Sequence, residues 1–330
     1  METVAEIRLW TERVLSEALG PPGPVALLDF PSHPNAGDSL IYLGTLAYLE
    51  RLGYTPRFVS DQFRYDPDRL RSAHPEGPIL MQGGGNYGDR YPGYQPHREA
   101  VVADFPDRRI VQLPVSLEYL DENKAAATHE RIKQHSDYTL LVRERPSMER
   151  AAKLFPNVKA VYCPDLALGA DVKGADPGAD PEEVVWLLRT DSEGVARDLH
   201  LPEGSVVCDW ELTRIDRFKW ATWDFPERLG NRVDWVRPVT NRFQLAGYQK
   251  LAQINVRRAV RTLSRGRIVV TDRLHAAVLG TLLGLPVIAM DNSYGKVSSI
   301  YNDYLGSLPA VMFAETATAV KAMIDAMGNR

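Results

Sequence analysis

The chain has 330 residues, with 44% hydrophobic and 25% charged residues, an ordinary globular composition that excludes disorder of the whole chain. At about 100–200 residues per domain, two domains are expected. The net charge of −4 gives no overall basic signal for nucleic acid, so an anionic substrate has to be met by local cations.

The N-terminal stretch METVAEIRLWTERV is charged and helix-like, and it lacks the apolar centre of a signal peptide. Residues 25–30 (VALLDF) read as a strand. A helix follows over 38–52, with Asp38 as its N-cap and Gly53 as its stop. Residues 78–82 (PILMQ), 109–113 (RIVQL) and 137–143 (DYTLLVR) are further buried strands. A polar, alanine-rich helix lies between the last two, around 122–134, and residues 158–162 close the series. Such alternation predicts a parallel sheet covered by helices on both faces.

Residues 169–182 (GADVKGADPGADPE) hold three glycines and two prolines without apolar periodicity, which is linker chemistry. The alternation then resumes with strands at 183–188 and 205–209. A long helix over 241–264 carries Leu245, Tyr248, Ala252, Val256, Val260 and Leu263 at helical spacing. Strand 267–271, helix 273–283, strand 286–290 and a last helix near 314–327 complete the chain. The uncharged stretch 274–290 contains His275, Gly284 and Pro286. It falls short of the roughly 20 apolar residues that span a bilayer, so no integral membrane segment is expected.

The fold expected is α/β, with two Rossmann-like doubly wound domains facing across a cleft. Residues 1–172 form the first, 173–182 the linker and 183–330 the second. In such sheets ligands sit beyond the carboxyl ends of the strands, so the expected site is the cleft between the domains.

Five motifs fall at those ends. Asn35-Ala36-Gly37-Asp38 follows the first strand and opens a helix, where free N–H groups and a bare glycine suit an anion or a hydroxyl-rich sugar. Asp38 is equally read as a cap. Gly83-Gly84-Gly85-Asn86 follows strand 78–82 and predicts a tight loop against a ligand or a packed neighbour. It is neither a dinucleotide fingerprint nor a Walker loop. Asp272-Arg273-Leu274-His275 pairs a guanidinium that can fork onto a carboxylate or phosphate with an imidazole that can move a proton near neutral pH. Arg143-Glu144-Arg145 ends strand 137–143, with Pro146 and Ser147 entering a helix; a salt-bridged surface cluster is the alternative. Tyr294-Gly295-Lys296 follows strand 286–290, with Lys296 either at a ligand or solvated.

Cys163 and Cys208 supply neither zinc-ligand spacing nor a disulfide framework, and no metal site is expected. Trp210, Trp220 and Trp223 are read as core in preference to an acceptor wall. Tyr87, Tyr91 and Tyr94, just past the glycines, are the preferred sugar contacts.

Taken together, the chain resembles the polysaccharide pyruvyltransferase family. The resemblance lies in NAGD before a helix, GGGN after a strand, the V-R-E-x-x-S segment at Val142–Ser147 and Cys-Pro-Asp at 163–165. It lies above all in DRLHAAVLGTLLGLPVIAM followed by Tyr294-Gly295-Lys296, and the ordered set covers roughly residues 25 to 305.

This resemblance implies a GT-B-like fold with phosphoenolpyruvate as donor substrate and no cofactor. It makes Arg273 and Arg143 ligands of the donor phosphate and carboxylate, and His275 the catalytic residue. Lys296, Gly84, Gly85 and Asn86 join the donor side. Asn35 and Gly37 join the tyrosines on the acceptor side, and Asp38 or Asp165 orients or deprotonates an acceptor hydroxyl. Where the family usually has Arg-Asp, this chain has Arg143-Glu144, and Arg145 adds a second candidate cation.

The implied product is a pyruvate ketal on a glycan, with a cytoplasmic enzyme acting near the inner membrane face if the acceptor is lipid-linked. A homo-oligomer is compatible with this. A nucleotide-sugar glycosyltransferase of the same fold and a non-catalytic sugar- or anion-binding relative are the competing readings.

Overall fold

The computed structural model describes residues 2–174, 182–191, 194–195, 201, 205, 207–232 and 243–328. The first half contains α1 (Val4–Leu19), β1 (Pro24–Leu28), α2 (Ala36–Arg51), β2 (Thr55–Val59), α3 (Pro67–Ala73), β3 (Ile79–Met81) and β4 (Gly84–Gly88). It continues through α4 (Tyr94–Asp104), β5 (Ile110–Glu118), α5 (Glu122–Ile132), β6 (Tyr138–Val142), α6 (Arg145–Leu154) and β7 (Lys159–Tyr162). The second half contains β8 (Glu182–Leu187), β9 (Val207–Cys208), α7 (Arg214–Arg232), α8 (Gln244–Leu263), β10 (Gly266–Thr271) and α9 (Leu274–Leu282). It ends with β11 (Val287–Ala289), α10 (Lys296–Asp303), β12 (Val311–Phe313) and α11 (Ala317–Gly328).

Both sheets are parallel. The first runs β2-β1-β3-β5-β6-β7, and the second β12-β11-β10-β8-β9. In each, successive strands are laid to opposite sides of the first strand, so strand order reverses between β1 and β3 and between β8 and β10. Those reversals open crevices at the carboxyl ends of the strands, and the chain is a two-domain, GT-B-like α/β protein. Tyr162 ends the first sheet and Glu182 begins the second. Most of the expected linker, residues 175–181, lies outside the described residues, as do residue 206 of the expected strand 205–209 and residues 241–242 of the expected helix.

Helix α2 ties the halves together. It is apolar around most of its circumference, with Leu40, Ile41, Tyr42, Tyr48 and Leu49 at 2% exposure or less. It packs on residues 166–169 and on α8 and α9, so one continuous apolar core runs through both halves. Gly44 and Gly169 make this approach feasible: an added Cβ would strike the Leu166 carbonyl oxygen at the first and the Tyr48 ring at the second. Polar contacts cross the same seam. Asn255 Nδ2 donates to Ser39 Oγ at 2.9 Å, and the Asp61 N–H donates to Tyr248 Oη at 3.1 Å.

Two local expectations need correction. The cap of α2 is Asn35, whose side-chain oxygen accepts from the Gly37 N–H at 2.8 Å; Asp38 lies inside the first turn. The run Gly83-Gly84-Gly85-Asn86 is no loop. After a break at Gln82-Gly83 the chain re-enters the sheet as β4, parallel to the distal half of β5. At Gly83 a Cβ would stand 2.5 Å from the Pro114 carbonyl oxygen, so the approach of β5 demands a glycine there.

Candidate functional site

The carboxyl ends of both sheets converge on one cavity of about 380 Å³, within the size range of small-molecule sites. The first half contributes His33, Asn35 and Asp38 after β1, and Gly85, Asn86, Tyr91 and Tyr94 around β4. The second contributes Arg189 and Asp191 after β8, Trp210 after β9, Asp272, Arg273 and His275 after β10, and Asn292 and Lys296 after β11.

Hydrogen bonds fix the arginine wall and pair its two guanidinium groups with Asp191 and Asp209. The Arg189 N–H donates to Asp272 Oδ1 at 2.9 Å, which ties the ends of β8 and β10 together at the switch point. Thr271 Oγ1 accepts from the Arg273 N–H at 3.0 Å. The Arg273 guanidinium forks between Asp209 (2.6 Å) and Asp191 (3.2 Å), and Arg189 grips the same Asp191 carboxylate with two hydrogen bonds of 2.8 and 2.9 Å. Lys296 starts α10 immediately after Gly295, whose φ of 76° suits a glycine. Asn292 accepts from the Lys296 N–H, and Asp291 accepts from the next two N–H groups.

His275 lies in the first turn of α9, its side chain 13% exposed at the cavity. Its ring covers Gly37 of α2, where a Cβ would stand 2.5 Å from Nδ1. Behind it is a buried chain of charges. His275 Nε2 is 3.4 Å from Asp165 Oδ2, and the same oxygen accepts from Arg143 Nη1 at 2.5 Å. Asp165 also accepts from the Ala167 N–H at 2.8 Å. Burial alone raises a carboxyl pKa, but Arg143 and His275 outweigh it and hold Asp165 well below the usual carboxylate range. Asp165 is therefore an ionised, fully enclosed support for the imidazole.

On the opposite wall, His33 Nε2 and Asp38 Oδ2 are 3.6 Å apart. Asn86 is held from behind by Arg98, which donates to its carbonyl at 2.9 Å, to its side-chain oxygen at 2.7 Å and to Asp29 at 2.9 Å. Asp29 adopts φ 66°, and burial, partly offset by Arg98, pushes its pKa up to about 6.

Of the residues expected from sequence, His275, Asp38, Arg273, Lys296, Gly85, Asn86, Asn35, Tyr91 and Tyr94 line this one cavity. Arg143 does not; it is fully buried beside Asp165 and Glu144, which corrects the alternative of a surface cluster. Among the described residues its Nη2 finds no hydrogen-bond partner, and it lies with Lys296 Nζ against the bare α-carbon of Gly85. Arg145 is displaced outward, its side chain 78% exposed and paired with Asp303 at 3.3 Å.

Tyr87 is not a wall residue: it is 2% exposed, and its hydroxyl lies 3.2 Å from that of Tyr138. Gly37 is covered by His275, and Gly84 packs toward Asp38 and Ile41. Trp210 and Trp220 both pack against the core as expected, and Trp210 also lines the cavity; Trp223 is 42% exposed.

Sequence reasoning missed Arg189, Asp191 and His33. Arg189 was within reach, because it stands just past the buried run EVVWLL at a strand's carboxyl end. Among the described residues no group of three or more His, Cys, Asp and Glu is placed to hold a metal ion. No helix among them is long and apolar enough to cross a membrane.

The family model for polysaccharide pyruvyl transferases matches residues 35–294, a span that begins at the cap of α2 and ends beside Lys296. The chain belongs to the polysaccharide pyruvyl transferase family. Pyruvyl transferase 1 of Schizosaccharomyces pombe is 30% identical over 297 residues, covering 85% of this chain and 69% of that one. EpsO of Bacillus subtilis (strain 168), which carries the name of a pyruvyl transferase, is 29% identical over 297 residues and 88% of each chain. The crystal structure of KP1_0663 from Klebsiella pneumoniae shares the fold, with a TM-score of 0.56 at 20% identity over 94% of this chain and 99% of that one. Membership of the polysaccharide pyruvyl transferase family supports a transferase that moves a pyruvyl group onto a polysaccharide. All of the cavity's lining residues except His33, Lys296 and Val297 lie within the matched span.

Proposed function

We propose that phosphoenolpyruvate is the donor and that the product is a pyruvate ketal on two hydroxyls of a glycan. The observation that carries this reading is the convergence of Arg189, Arg273 and Lys296 beside His275 on one cavity. Phosphoenolpyruvate presents a phosphate and a carboxylate on three carbons, and several cations must meet to hold it. Arg143 supports this wall from behind Gly85.

In this scheme His275 donates a proton to C3 of the donor, leaving C2 cationic. An acceptor hydroxyl forms a bond to C2 and gives its proton to Asp38, whose neighbour His33 can pass it to solvent. The C2–O bond to phosphate then breaks, releasing inorganic phosphate, and the second hydroxyl closes the ketal at C2, giving its proton back to the His275 imidazole. Asp165 orients the imidazole and stabilises its protonated form. Tyr91, Tyr94 and Trp210 offer flat faces to a sugar. We place the enzyme in the cytoplasm, where phosphoenolpyruvate is available.

A crystal soaked with phosphoenolpyruvate tests the arrangement directly, with density expected between Arg273, Lys296 and His275. A thermal-shift comparison separates this reading from nucleotide-sugar transfer on the same fold. Stabilisation by nucleoside diphosphates or nucleotide sugars, with none by phosphoenolpyruvate, sinks it. Donor binding without turnover on a panel of glycans leaves a binding protein instead.

A further inference from the structure

Helix α7 turns a distinctive face outward. Ile215, Phe218 and Phe225 are 67%, 74% and 60% exposed, and their spacing places them along one side of the helix. Arg214, Arg217 and Lys219 are exposed on the same helix. The acids of this segment are turned inward. Asp216 accepts from Thr213 and pairs with Arg261 at 3.4 Å; Asp224 pairs with Arg64 at 3.4 Å. Between residues 214 and 225 the outward face therefore carries three positive charges and no negative one, in a chain of net charge −4.

The apolar surface extends beyond the helix. Phe63 and Phe243 are 75% and 62% exposed. The residue after Phe63, Arg64, bridges to Asp224, the residue before Phe225. Arg69 reaches Gln244, the residue after Phe243, at 3.5 Å. Side chains from both halves are thus gathered on one side of the molecule, beyond the carboxyl end of β2 and just past Trp210, which lines the cavity.

Exposed aromatic residues in this number mark an interaction surface. Bulky apolar side chains flanked by cations on a strongly amphipathic helix are the signature of an element that lies in a lipid interface. We propose that the α7 face, with Phe63 and Phe243, docks on an anionic lipid bilayer. The phenylalanines enter the headgroup boundary, and Arg214, Arg217 and Lys219 meet lipid phosphates. An acidic protein surface would engage the cations but leave the phenylalanines in water, so the bilayer accounts for both features. The inference does not depend on the identity of the donor.

The test is co-sedimentation of the full chain with phosphatidylglycerol-containing vesicles and with pure phosphatidylcholine vesicles. Binding to the anionic vesicles is expected, weakening as salt is raised. Phe218→Ser with Phe225→Ser should abolish it. Each of Arg214→Gln, Arg217→Gln and Lys219→Gln should weaken it about five-fold, the attraction typical of one cation near such a surface. None of these residues lines the cavity, so melting temperature and phosphate release with a water-soluble acceptor should stay at wild-type levels. Equal binding to both vesicle types, or full binding by the double phenylalanine variant, overturns the proposal. So does capture by polyglutamate with no vesicle binding, or a change of solution mass in the phenylalanine variant without loss of vesicle binding.

Discussion

Asp165 and His275 stand in different halves of the chain, 110 residues apart, and meet at 3.4 Å behind the cavity wall. The carboxylate is fully enclosed and anchored by Arg143. The imidazole is therefore clamped between a buried anion on one side and the bare α-carbon of Gly37 on another.

If His275 is the proton donor, His275→Ala and His275→Gln should fold normally and lose phosphate release by about 10²–10⁴, the usual worth of a positioned acid. Calorimetry with phosphoenolpyruvate should still detect binding. Turnover near the wild-type rate would remove His275 from the chemistry.

Asp165→Asn should separate positioning from reaction. It keeps the shape but removes the charge that stabilises protonated His275 and answers Arg143, so kcat should fall while KM for the donor changes little. A kcat that stays at the wild-type value would make Asp165 a packing residue. The folded pKa of Asp165 is depressed, so its stabilising contribution is complete above the normal carboxylate range and is lost as pH falls below it. Acid unfolding of Asp165→Asn should lack that component.

Gly37→Ala places a methyl group where the His275 ring lies. The ring can turn away, so a modest loss of stability and a large loss of kcat are expected. Gly44→Ala meets the Leu166 backbone oxygen instead, which cannot rotate aside. Overpacking of that kind costs about 1–3 kcal/mol, and urea unfolding of the two variants should rank them in that order.

Arg273→Ala removes a charge-assisted contact worth about 1.5–3 kcal/mol, and should raise the donor KM by one to two orders of magnitude, as about 1.4 kcal/mol is tenfold. Unchanged donor affinity in titration calorimetry would count against a role in holding the donor.

Asp29 titrates in the opposite sense to Asp165. Its folded pKa is raised by burial to about 6, above its unfolded value, so ionisation is costlier in the folded state. Its contribution makes the protein less stable as pH rises from about 4 to about 6, with no further change above. Urea midpoints measured across that window should fall more steeply in the wild type than in Asp29→Asn. Parallel curves would contradict this assignment.

The sequence by itself determined the strand–helix alternation, two parallel sheets and the places where glycine or a helix start meets a strand's carboxyl end. Those features are local: side-chain period, cap chemistry and turn residues act within a few positions. That Arg273, His275 and Lys296 share one crevice also followed, because parallel strands deliver their carboxyl ends to one edge.

What only the tertiary structure decided depends on partners distant in sequence. Tyr87 left the acceptor wall because the glycine run became a strand beside β5, and alternate residues of a strand face opposite sides. Arg143 became a buried support, while Arg145, two residues on, turned out to Asp303. The meeting of Asp165 with His275 required the two halves to be docked, and that of Arg189 and Asp191 with Arg273 required β8 and β10 to pair at their switch point. No local pattern specifies that docking, because it is set by packing along the whole of α2.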